Sequence, residues 1–496
     1  MQLLDLNVDV LLHISRFQTR TDISRLTRTC RSLHEILAPT ILKGLVILTG
    51  LNLASFSQFM HLDSTGRRTG RDLFPFLRTL RLYLLPDFSR SISLGESIQA
   101  FTDILKHCTH LASLALYHPS IAFTSAQLRL ALSAPLPDLQ DIALEGITID
   151  CWDALADVAS PLRTVNLTMS TYTGEDIAHA NPLPLLQFHR STLTTLTLTR
   201  VSLGDVAVPF PSVRRLTIFS FTLADNETGW VGPLVRLFPG VEHVELWSLH
   251  ARDGSSLARR LDPRDSTALL IAGDWRTRAR VWQAQHGTWA NGLRFLRMHS
   301  VMELYCLGLS CRIERLDLHI LSPSETITTG ALADHRPRCL RFQILSPSDM
   351  DQAVPVLLRT VAQTSSVTHL MIEFGDDLLQ YSDLGNLLAR IAALLCNIVV
   401  SHLVLHISTN RFSQREQLFG AVGSDSPRAG GAPEVLQIFA QDNRALQRVF
   451  VSYERGDVRA WEAFRATGES ITRWTEMGQF RARELISSEG LVRYAD

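Results

Sequence analysis

Two cysteines and two histidines lie close together in the middle of the sequence, and their side chains are of the types that bind metal ions. Cys306 and Cys311 are flanked by His299 and His319. Thiolate sulfur and imidazole nitrogen are common zinc ligands. The spacing of these four residues matches no zinc-finger pattern. We therefore expect no metal site here and no cofactor in the chain.

Other residue types that could perform catalysis occur without the arrangement that catalysis requires. Asp349 with Asp351, and Asp376 with Asp377, are paired carboxylates of the kind used for proton transfer. We interpret them as solvated loop charges, with Asp349 capping a helix. The sequence has no glycine-rich phosphate loop, no His-Glu-x-x-His and no Gly-x-Ser-x-Gly. We predict no catalytic residue, and a protein that is not an enzyme.

The first forty residues carry an unusual apolar pattern, and segment 3–41 is predicted to form three short helices. The apolar residues of the first helix are Leu6, Val8, Val10, Leu11, Leu12, Ile14 and Phe17. At helical spacing these side chains point nearly all the way round, which is typical of a helix buried on every side. A segment of about 40 residues buries too little surface to be stable alone. Part of it must contact the rest of the chain or a partner protein.

The second and third helices have clearer boundaries and one apolar face. Asp22 is predicted to be the N-cap of the second helix, because its carboxylate can accept from free N–H groups of the first turn. Ile23, Leu26 and Cys30 follow at spacings of three and four residues, which places them on one face. Pro39 is predicted to end the third helix.

This pattern resembles an F-box, the motif that docks a substrate receptor onto the Skp adaptor of a Skp–cullin–F-box ubiquitin ligase. The residues that carry the resemblance are Leu6, Asp9, Val10, Leu11, Ile14, Phe17, Asp22, Ile23, Leu26, Cys30, Arg31 and Leu33. The chain departs from the family at Asn7, where proline is usual, and at Leu33, where an aromatic residue is common. The resemblance implies adaptor contacts at Leu6, Val10, Leu11, Ile14, Phe17, Ile23, Leu26, Cys30 and Leu33. The alternative is that the three helices only cap a repeat array.

One short pattern recurs along the rest of the chain: apolar, two residues, apolar, one residue, apolar. Its copies are Leu42-Leu45-Ile47, Leu77-Leu80-Leu82, Leu111-Leu114-Leu116, Leu139-Ile142-Leu144, Leu162-Val165-Leu167, Leu193-Leu196-Leu198, Val213-Leu216-Ile218, Val241-Val244-Leu246, Leu293-Leu296-Met298, Ile313-Leu316-Leu318, Val367-Leu370-Ile372, Val400-Leu403-Leu405 and Leu446-Val449-Val451, with a weaker copy at Leu340-Phe342. Most spacings are those of leucine-rich repeats, and the alternation predicts a short strand with one buried face. Helical patterns at 97–110, 349–363 and 383–396 lie between such strands.

These features predict an α/β repeat solenoid with three parts: an F-box at 1–41, a degenerate leucine-rich-repeat array at 42–455 and a C-terminal helical cap at 456–496. Eight residues after the first apolar position the regular repeat has Asn or Cys, but here Ile147, Val201 and Phe221 are examples of apolar replacements. We therefore expect an irregular horseshoe. Degenerate arrays behind an F-box are similar to those of the large fungal family of F-box proteins.

Two segments interrupt the array. The insertion 252–292 contains seven arginines and, seven residues apart, Trp275, Trp282 and Trp289. It is either a basic aromatic surface for an acidic partner or nucleic acid, or a helix that packs its tryptophans inward while its arginines face water. The segment 420–433 is rich in Gly, Ser and Pro, and we interpret it as a flexible loop.

Composition limits the partners. The 496 residues carry a formal net charge of −1, so we expect no general attraction to nucleic acid or to an anionic membrane. No apolar run is long enough for a transmembrane helix, and the N-terminus has no signal-peptide pattern. Seven scattered cysteines suit a reducing, cytoplasmic or nuclear location.

The predicted function is therefore positional. We expect a substrate-recognition subunit that docks a Skp-family adaptor, and through it a cullin, while the repeat array binds an unknown protein target. The alternative is a leucine-rich-repeat scaffold for protein interactions without ligase docking. A third possibility, nucleic-acid binding through the arginine-rich insertion, is disfavoured by the nearly neutral net charge.

Overall fold

The computed structural model describes most of the chain, in two compact units that span Met1–Thr222 and Leu223–Asp496. The described residues are 7–15, 17–61, 73–84, 94–170, 181–203, 208–223, 231–250, 261, 265–322, 324–364, 366–375, 378, 384–407, 439, 445–453, 458–465 and 471–488. The unit boundary falls inside the predicted array. The predicted flexible loop 420–433 lies outside the described residues.

The first unit contains three N-terminal helices followed by strands that alternate with helical segments. Its helices are α1 (Val8–Ser15), α2 (Arg20–Thr27), α3 (Arg31–Leu42), α4 (Gly50–His61), α5 (Leu94–His107), α6 (Pro119–Ala122), α7 (Ser125–Leu132) and α8 (Ile149–Trp152). Its 3-10 turns are Phe74–Phe76, Asp153–Asp157 and Leu183–His189. Its strands are β1 (Leu45–Thr49), β2 (Thr79–Tyr83), β3 (Ser113–Tyr117), β4 (Asp141–Ile147), β5 (Thr164–Met169), β6 (Thr195–Leu203) and β7 (Arg215–Leu223). The strands follow chain order in the sheet, and β1 to β6 pair in parallel.

The second unit repeats this arrangement and ends differently. Its helices are α9 (Val231–Leu237), α10 (Ser266–His286), α11 (Val301–Leu307), α12 (Glu325–His335), α13 (Val354–Thr364), α14 (Leu384–Leu395) and α15 (Gln479–Ser488), with a π-helical turn at Asp349–Ala353. Its strands are β8 (His243–His250), β9 (Leu293–Ser300), β10 (Ile313–Ile320), β11 (Cys339–Ile344), β12 (His369–Phe374), β13 (His402–Ile407), β14 (Arg448–Tyr453), β15 (Val458–Arg465) and β16 (Ile471–Met477). Strands β8 to β14 pair in parallel and in order.

The recurring apolar pattern coincides with these strands, which confirms the predicted α/β repeat. In β2, for example, Leu80 and Leu82 are fully buried, and their register partners Leu114 and Leu116 in β3 are buried as well. The alternate residues of each strand therefore form one buried face that packs against the helical segments. The helices predicted at 97–110, 349–363 and 383–396 are present as α5, α13 and α14.

The prediction is wrong by one residue in β1. The pattern placed Leu45 and Ile47 on the buried face, but Val46 and Leu48 are buried, and Ile47 is 57% exposed. Pairing fixes this register, because Val46 lies opposite Leu80. A one-residue shift moves every side chain of a strand to the other face.

A left-handed residue recurs one position before the apolar residues that replace Asn or Cys. His118, Gly146, Arg200, Ser220 and Ser248 occupy it, with φ between 51° and 74°. The backbone turns there as in a β-bulge, so that the next side chain points inward again. Those side chains, Ile147, Val201 and Phe221, are fully buried. Neighbouring backbone satisfies the turn: His118 donates its N–H to the carbonyl of Glu145, and Ser170 donates to Ile147 at 2.9 Å.

The tail 456–496 is not the purely helical cap that the sequence predicted. Strands β15 and β16 add antiparallel pairs after β14, and among the described residues of the tail α15 is the one helix. The free edge of β14 offers backbone donors and acceptors that need partners, and β15 supplies them. The tail covers Met371, Val404 and Phe450 with five of its side chains, which are Val458, Ala460, Met477, Ala482 and Ile486. These three lie on the sheet face that also carries Arg297, Asp317 and Arg341, which we call the ladder face.

The described part of the insertion 252–292 contains α10 and follows the inward-packing interpretation in part: Trp275 is half-buried, but Arg276 is largely buried and does not face water. Trp282 and Trp289 are buried, and the Trp289 Nε1 donates to the carbonyl of Phe238 at 2.9 Å. Trp289 lies beyond the end of α10, so the expectation that three tryptophans share one helix face is wrong. Arg276 and Arg280 both pair with Asp334, so these arginines are compensated within the protein. Arginines 259, 260 and 264 lie outside the described residues.

The three predicted N-terminal helices are present, with two corrections. Thr19, not Asp22, caps α2: its hydroxyl accepts the N–H of Asp22 at 3.3 Å and donates to that carboxylate. Pro39 lies inside α3 and does not end it, because its carbonyl accepts from the N–H of Lys43 at 3.1 Å and the helix continues.

Candidate protein-interaction surfaces

The three N-terminal helices have a small core of their own. Leu11, Ile23, Leu33 and Leu37 are at most 5% exposed and pack together. The partly buried residues around them are Leu12, Leu26, Cys30, Ile36 and Ile41. The internal face of α1 is therefore covered by α2 and α3.

The other side of α1 is apolar and exposed. Val10 is 43% exposed, Ile14 37% and Phe17 76%. The spacing of four residues places Val10 and Ile14 on one side of α1. Phe17 follows the end of the helix, and Val8, at 47% exposure, is two residues from Val10 and therefore points to a different side. Contiguous exposed apolar side chains of this kind mark interaction sites on proteins. We call Val10, Ile14 and Phe17 the α1 surface.

The nine predicted adaptor-contact residues thus differ in exposure: some are accessible, some are buried or partly buried, and one lies outside the described residues. Val10, Ile14 and Phe17 lie on the α1 surface and are accessible to a partner. Leu11, Ile23 and Leu33 are internal and stabilise the helices instead; Leu26 and Cys30 are partly buried beside them. Leu6 lies outside the described residues. The departure at Leu33 therefore falls in the core of the helices, and Asn7 accepts the N–H of Asp9 at 3.2 Å near the start of α1.

The second candidate surface is the ladder face, where charges alternate in sign across five strands. The series is Glu245 in β8, Arg297 in β9, Asp317 in β10, Arg341 in β11 and Glu373 in β12. Arg297 lies 3.3 Å from both Glu245 and Asp317, and Arg341 lies 3.4 Å from Asp317 and pairs with Glu373. No local sequence signal predicted this ladder, because each strand contributes one member.

Asp317 is the centre of the ladder. Its carboxylate is buried and also accepts from Arg315 Nε at 2.9 Å. Burial acts to raise the pKa of Asp317, but Arg315, Arg341 and Arg297 outweigh it and hold this pKa below its usual value. The positive charges of Arg297, Arg315 and Arg341 are compensated by three carboxylates. These are Asp317, Glu245 and Glu373. These six charges therefore leave no net positive charge of the kind that nucleic-acid binding uses.

Aromatic rings lie beside the ladder. Trp247, His299 and His319 have ring centroids 5.4 to 5.9 Å apart, and the Arg297 guanidinium lies 5.7 Å from the Trp247 ring. Burial lowers the pKa of His299 and that of His319, which favours neutral imidazoles at pH 7. Half-buried Trp and Arg are the residue types that contribute most binding energy at protein interfaces.

The four residues first considered as zinc ligands do not converge. His299 and His319 lie on the ladder face, because they alternate with the buried Met298 and Leu318. Cys306 is buried in α11, which packs on β9 and β10. Burial raises the pKa of Cys306, and it raises that of Cys311 to about 11. Both are therefore neutral thiols, whereas a metal ligand is a thiolate.

The predicted carboxylate pair Asp349 and Asp351 does not act together, because each side chain has different partners. The prediction that Asp349 caps a helix is wrong: Asp349 lies inside the π-helical turn, and its carboxylate accepts the N–H groups of Leu345 at 3.2 Å and Ser346 at 3.0 Å in the turn before it. Asp351 pairs with Arg390. Asp376 and Asp377 lie outside the described residues.

Comparisons with known proteins give a likeness among solved structures only. No family model matches the chain, and no curated protein matches it. Among solved structures, the chain is similar to the leucine-rich repeat-containing protein LegL7 from Legionella pneumophila, at 13% identity and a TM-score of 0.27. The match covers 77% of this chain and 85% of that one. Among the described residues, no helix combines the length and apolar character that a membrane span requires.

Proposed function

We propose that this protein is the substrate-recognition subunit of a Skp–cullin–F-box ubiquitin ligase, with no catalytic step of its own. The observation that carries the proposal is the α1 surface: Val10, Ile14 and Phe17 are exposed while the opposite side of α1 is covered. Exposed apolar residues on a small helical module before a repeat array need a partner, and the resemblance to an F-box names a Skp-family adaptor.

The target would bind the repeat array. The ladder face supports this part of the proposal, because the described part of the tail covers that face at Met371, Val404 and Phe450, which lie on β12 to β14. Trp247 with Arg297 supplies side chains suited to a protein partner. The ligase would then transfer ubiquitin to a target held at high effective concentration.

Co-expression of the full chain with a Skp-family adaptor, followed by size-exclusion chromatography, tests the proposal. We expect a one-to-one complex. Phe17→Asp should abolish it, because docking would bury a carboxylate without a partner. Leu130→Asp is the matched control: Leu130 is 61% exposed on α7 of the same unit, and its substitution should leave the complex intact. A wild-type chain that elutes alone would refute adaptor docking.

A repeat scaffold without ligase docking is the second candidate. The ladder face favours it independently, because its aromatic and charged residues do not depend on α1. In that case the chain would bind its protein partner equally well with or without Phe17→Asp, and no adaptor complex would form.

A further inference from the structure

Two neighbouring helices of the first unit bring three potential metal ligands together. His61 is the last residue of α4, and Asp103 and His107 are four residues apart on α5, so both point from one side of that helix. The two helices pack against each other. Sequence reasoning missed this group because His61 and Asp103 are 42 residues apart.

The geometry is close to that of a three-ligand metal site. His61 Nε2 lies 2.7 Å from Asp103 Oδ2, and His107 Nδ1 lies 3.6 Å from Asp103 Oδ1. One ligand atom from each residue lies within 4.8 Å of the other two, and within the part of the chain that the structure describes no other such group occurs. Ligands bound tetrahedrally at about 2.0–2.1 Å from zinc are about 3.3 Å apart. His107 Nδ1 also lies 2.8 Å from the backbone carbonyl oxygen of Asp103, so binding an ion requires the His107 ring to give up this contact in addition to small side-chain rotations.

The surroundings hold these side chains in place. The Ser57 hydroxyl donates to Asp103 Oδ2 at 3.2 Å, a contact typical of the groups that orient metal ligands. The buried Phe74 ring lies 4.8 Å from the His61 ring and 5.1 Å from the His107 ring. The apolar wall shields one side of the group, while His107, at 47% side-chain exposure, gives access from solvent.

The protonation state also suits a cation. Burial acts to raise the pKa of Asp103, but the hydrogen bond and charge of His61 and the hydrogen bond of Ser57 outweigh it, so that this pKa is below its usual value. Asp103 is therefore a carboxylate at neutral pH. Two imidazoles and one carboxylate are a ligand set that zinc accepts, whereas Mg²⁺ and Ca²⁺ prefer oxygen ligands only.

We propose that His61, Asp103 and His107 bind one divalent transition-metal ion of the zinc type. Water completes the tetrahedron, and the ion joins α4 to α5. The ion takes the place of the proton shared by His61 and Asp103, so binding releases protons and weakens as the pH falls. This site is independent of adaptor docking, and neither proposal depends on the other.

Zn²⁺ binding to the purified full chain, measured by equilibrium dialysis in the presence of a weak competing chelator, tests the proposal. We expect one ion per wild-type chain and a thermal midpoint that rises with Zn²⁺, because the ion binds the folded state. His107→Ala should weaken binding by more than about 10-fold. His107 is exposed, so this variant should fold normally, which circular dichroism checks.

The chain offers a matched control. His110 Nδ1 lies 2.7 Å from Asp138 Oδ2, a histidine–carboxylate pair of the same length that has no third ligand among the described residues. His110→Ala should keep the full Zn²⁺ stoichiometry and affinity. The proposal is overturned if the wild type binds no stoichiometric ion, or if the two alanine variants lose Zn²⁺ equally.

Discussion

His369 in β12 and His402 in β13 stack face to face, with ring centroids 4.3 Å apart and ring planes 6° apart. Their Nδ1 atoms lie 2.7 Å from the Thr368 hydroxyl and 2.8 Å from the Ser401 hydroxyl. Burial lowers the pKa of each histidine to about 4, and nearby arginines, including Arg448, act in the same direction. The two rings are therefore neutral in the folded protein at pH 7.

This pair predicts an acid-sensitive second unit. An unfolded histidine titrates near pH 6.5. Between about pH 6.5 and 4 the two histidines are therefore protonated in the unfolded chain but remain neutral in the folded chain. The free energy of unfolding should therefore fall as the pH drops through this range. Urea denaturation at several pH values measures it. The double variant His369→Gln, His402→Gln should show a shallower pH dependence; an unchanged slope would contradict the assignment.

Asp317→Asn should destabilise the second unit by about 3–5 kcal/mol, because three arginines would lose their central carboxylate in a buried site. The control is Asp351→Asn. Asp351 pairs with Arg390 at the surface, where both side chains are about half exposed, and its loss should cost under about 1 kcal/mol. Denaturant midpoints compare the two variants, and equal losses would argue against a special role of the ladder.

Gly146→Ala and Gly95→Ala should change stability in opposite directions. Gly146 has a φ of 74°, and an added Cβ would clash with the His118 ring, so alanine should cost about 1–2 kcal/mol or more. Gly95 lies in α5 with nothing within 4 Å of its would-be Cβ, and alanine there should gain up to about 1 kcal/mol. Thermal unfolding distinguishes the two; a neutral Gly146→Ala would mean that the bulge relaxes.

The tail should be essential for the stability of the second unit. Ala482 of α15 is fully buried against the ladder face, and Ala482→Asp should cost about 3 kcal/mol or more by burying a charge. Phe480 on the same helix is 84% exposed, and Phe480→Asp should change stability by less than about 0.5 kcal/mol. Limited proteolysis and denaturation measure both effects. Equal resistance of the two variants would show that α15 is dispensable.

The repeat strands could be predicted because their apolar alternation is strong and local. The failure at β1 has a simple cause: Leu45, Val46, Ile47 and Leu48 are all apolar, so alternation alone cannot choose the buried face. Only the pairing of Val46 with Leu80 decides it. The strands of the tail were not predicted because they pair with the backbone edge of β14. Backbone pairing of this kind does not produce a recognisable pattern of side chains in the sequence.

The candidate sites were predicted less well than the fold. The apolar pattern of α1 identified an interaction segment, but it could not separate Leu11, which packs internally, from Ile14, which is exposed. The charge ladder and the group at His61 depend on residues that are 20 to 52 positions apart. Strand register and helix packing bring them together, and neither is encoded in a local motif.

The most direct test of the central claim is the affinity of the purified protein for a Skp-family adaptor, measured by isothermal titration calorimetry. We predict one-to-one binding that the double variant Ile14→Asp, Phe17→Asp weakens by at least about 100-fold. Leu130→Asp should bind like the wild type, and circular dichroism should show all three proteins folded. Absence of wild-type binding, or binding that the double variant retains, would contradict the account.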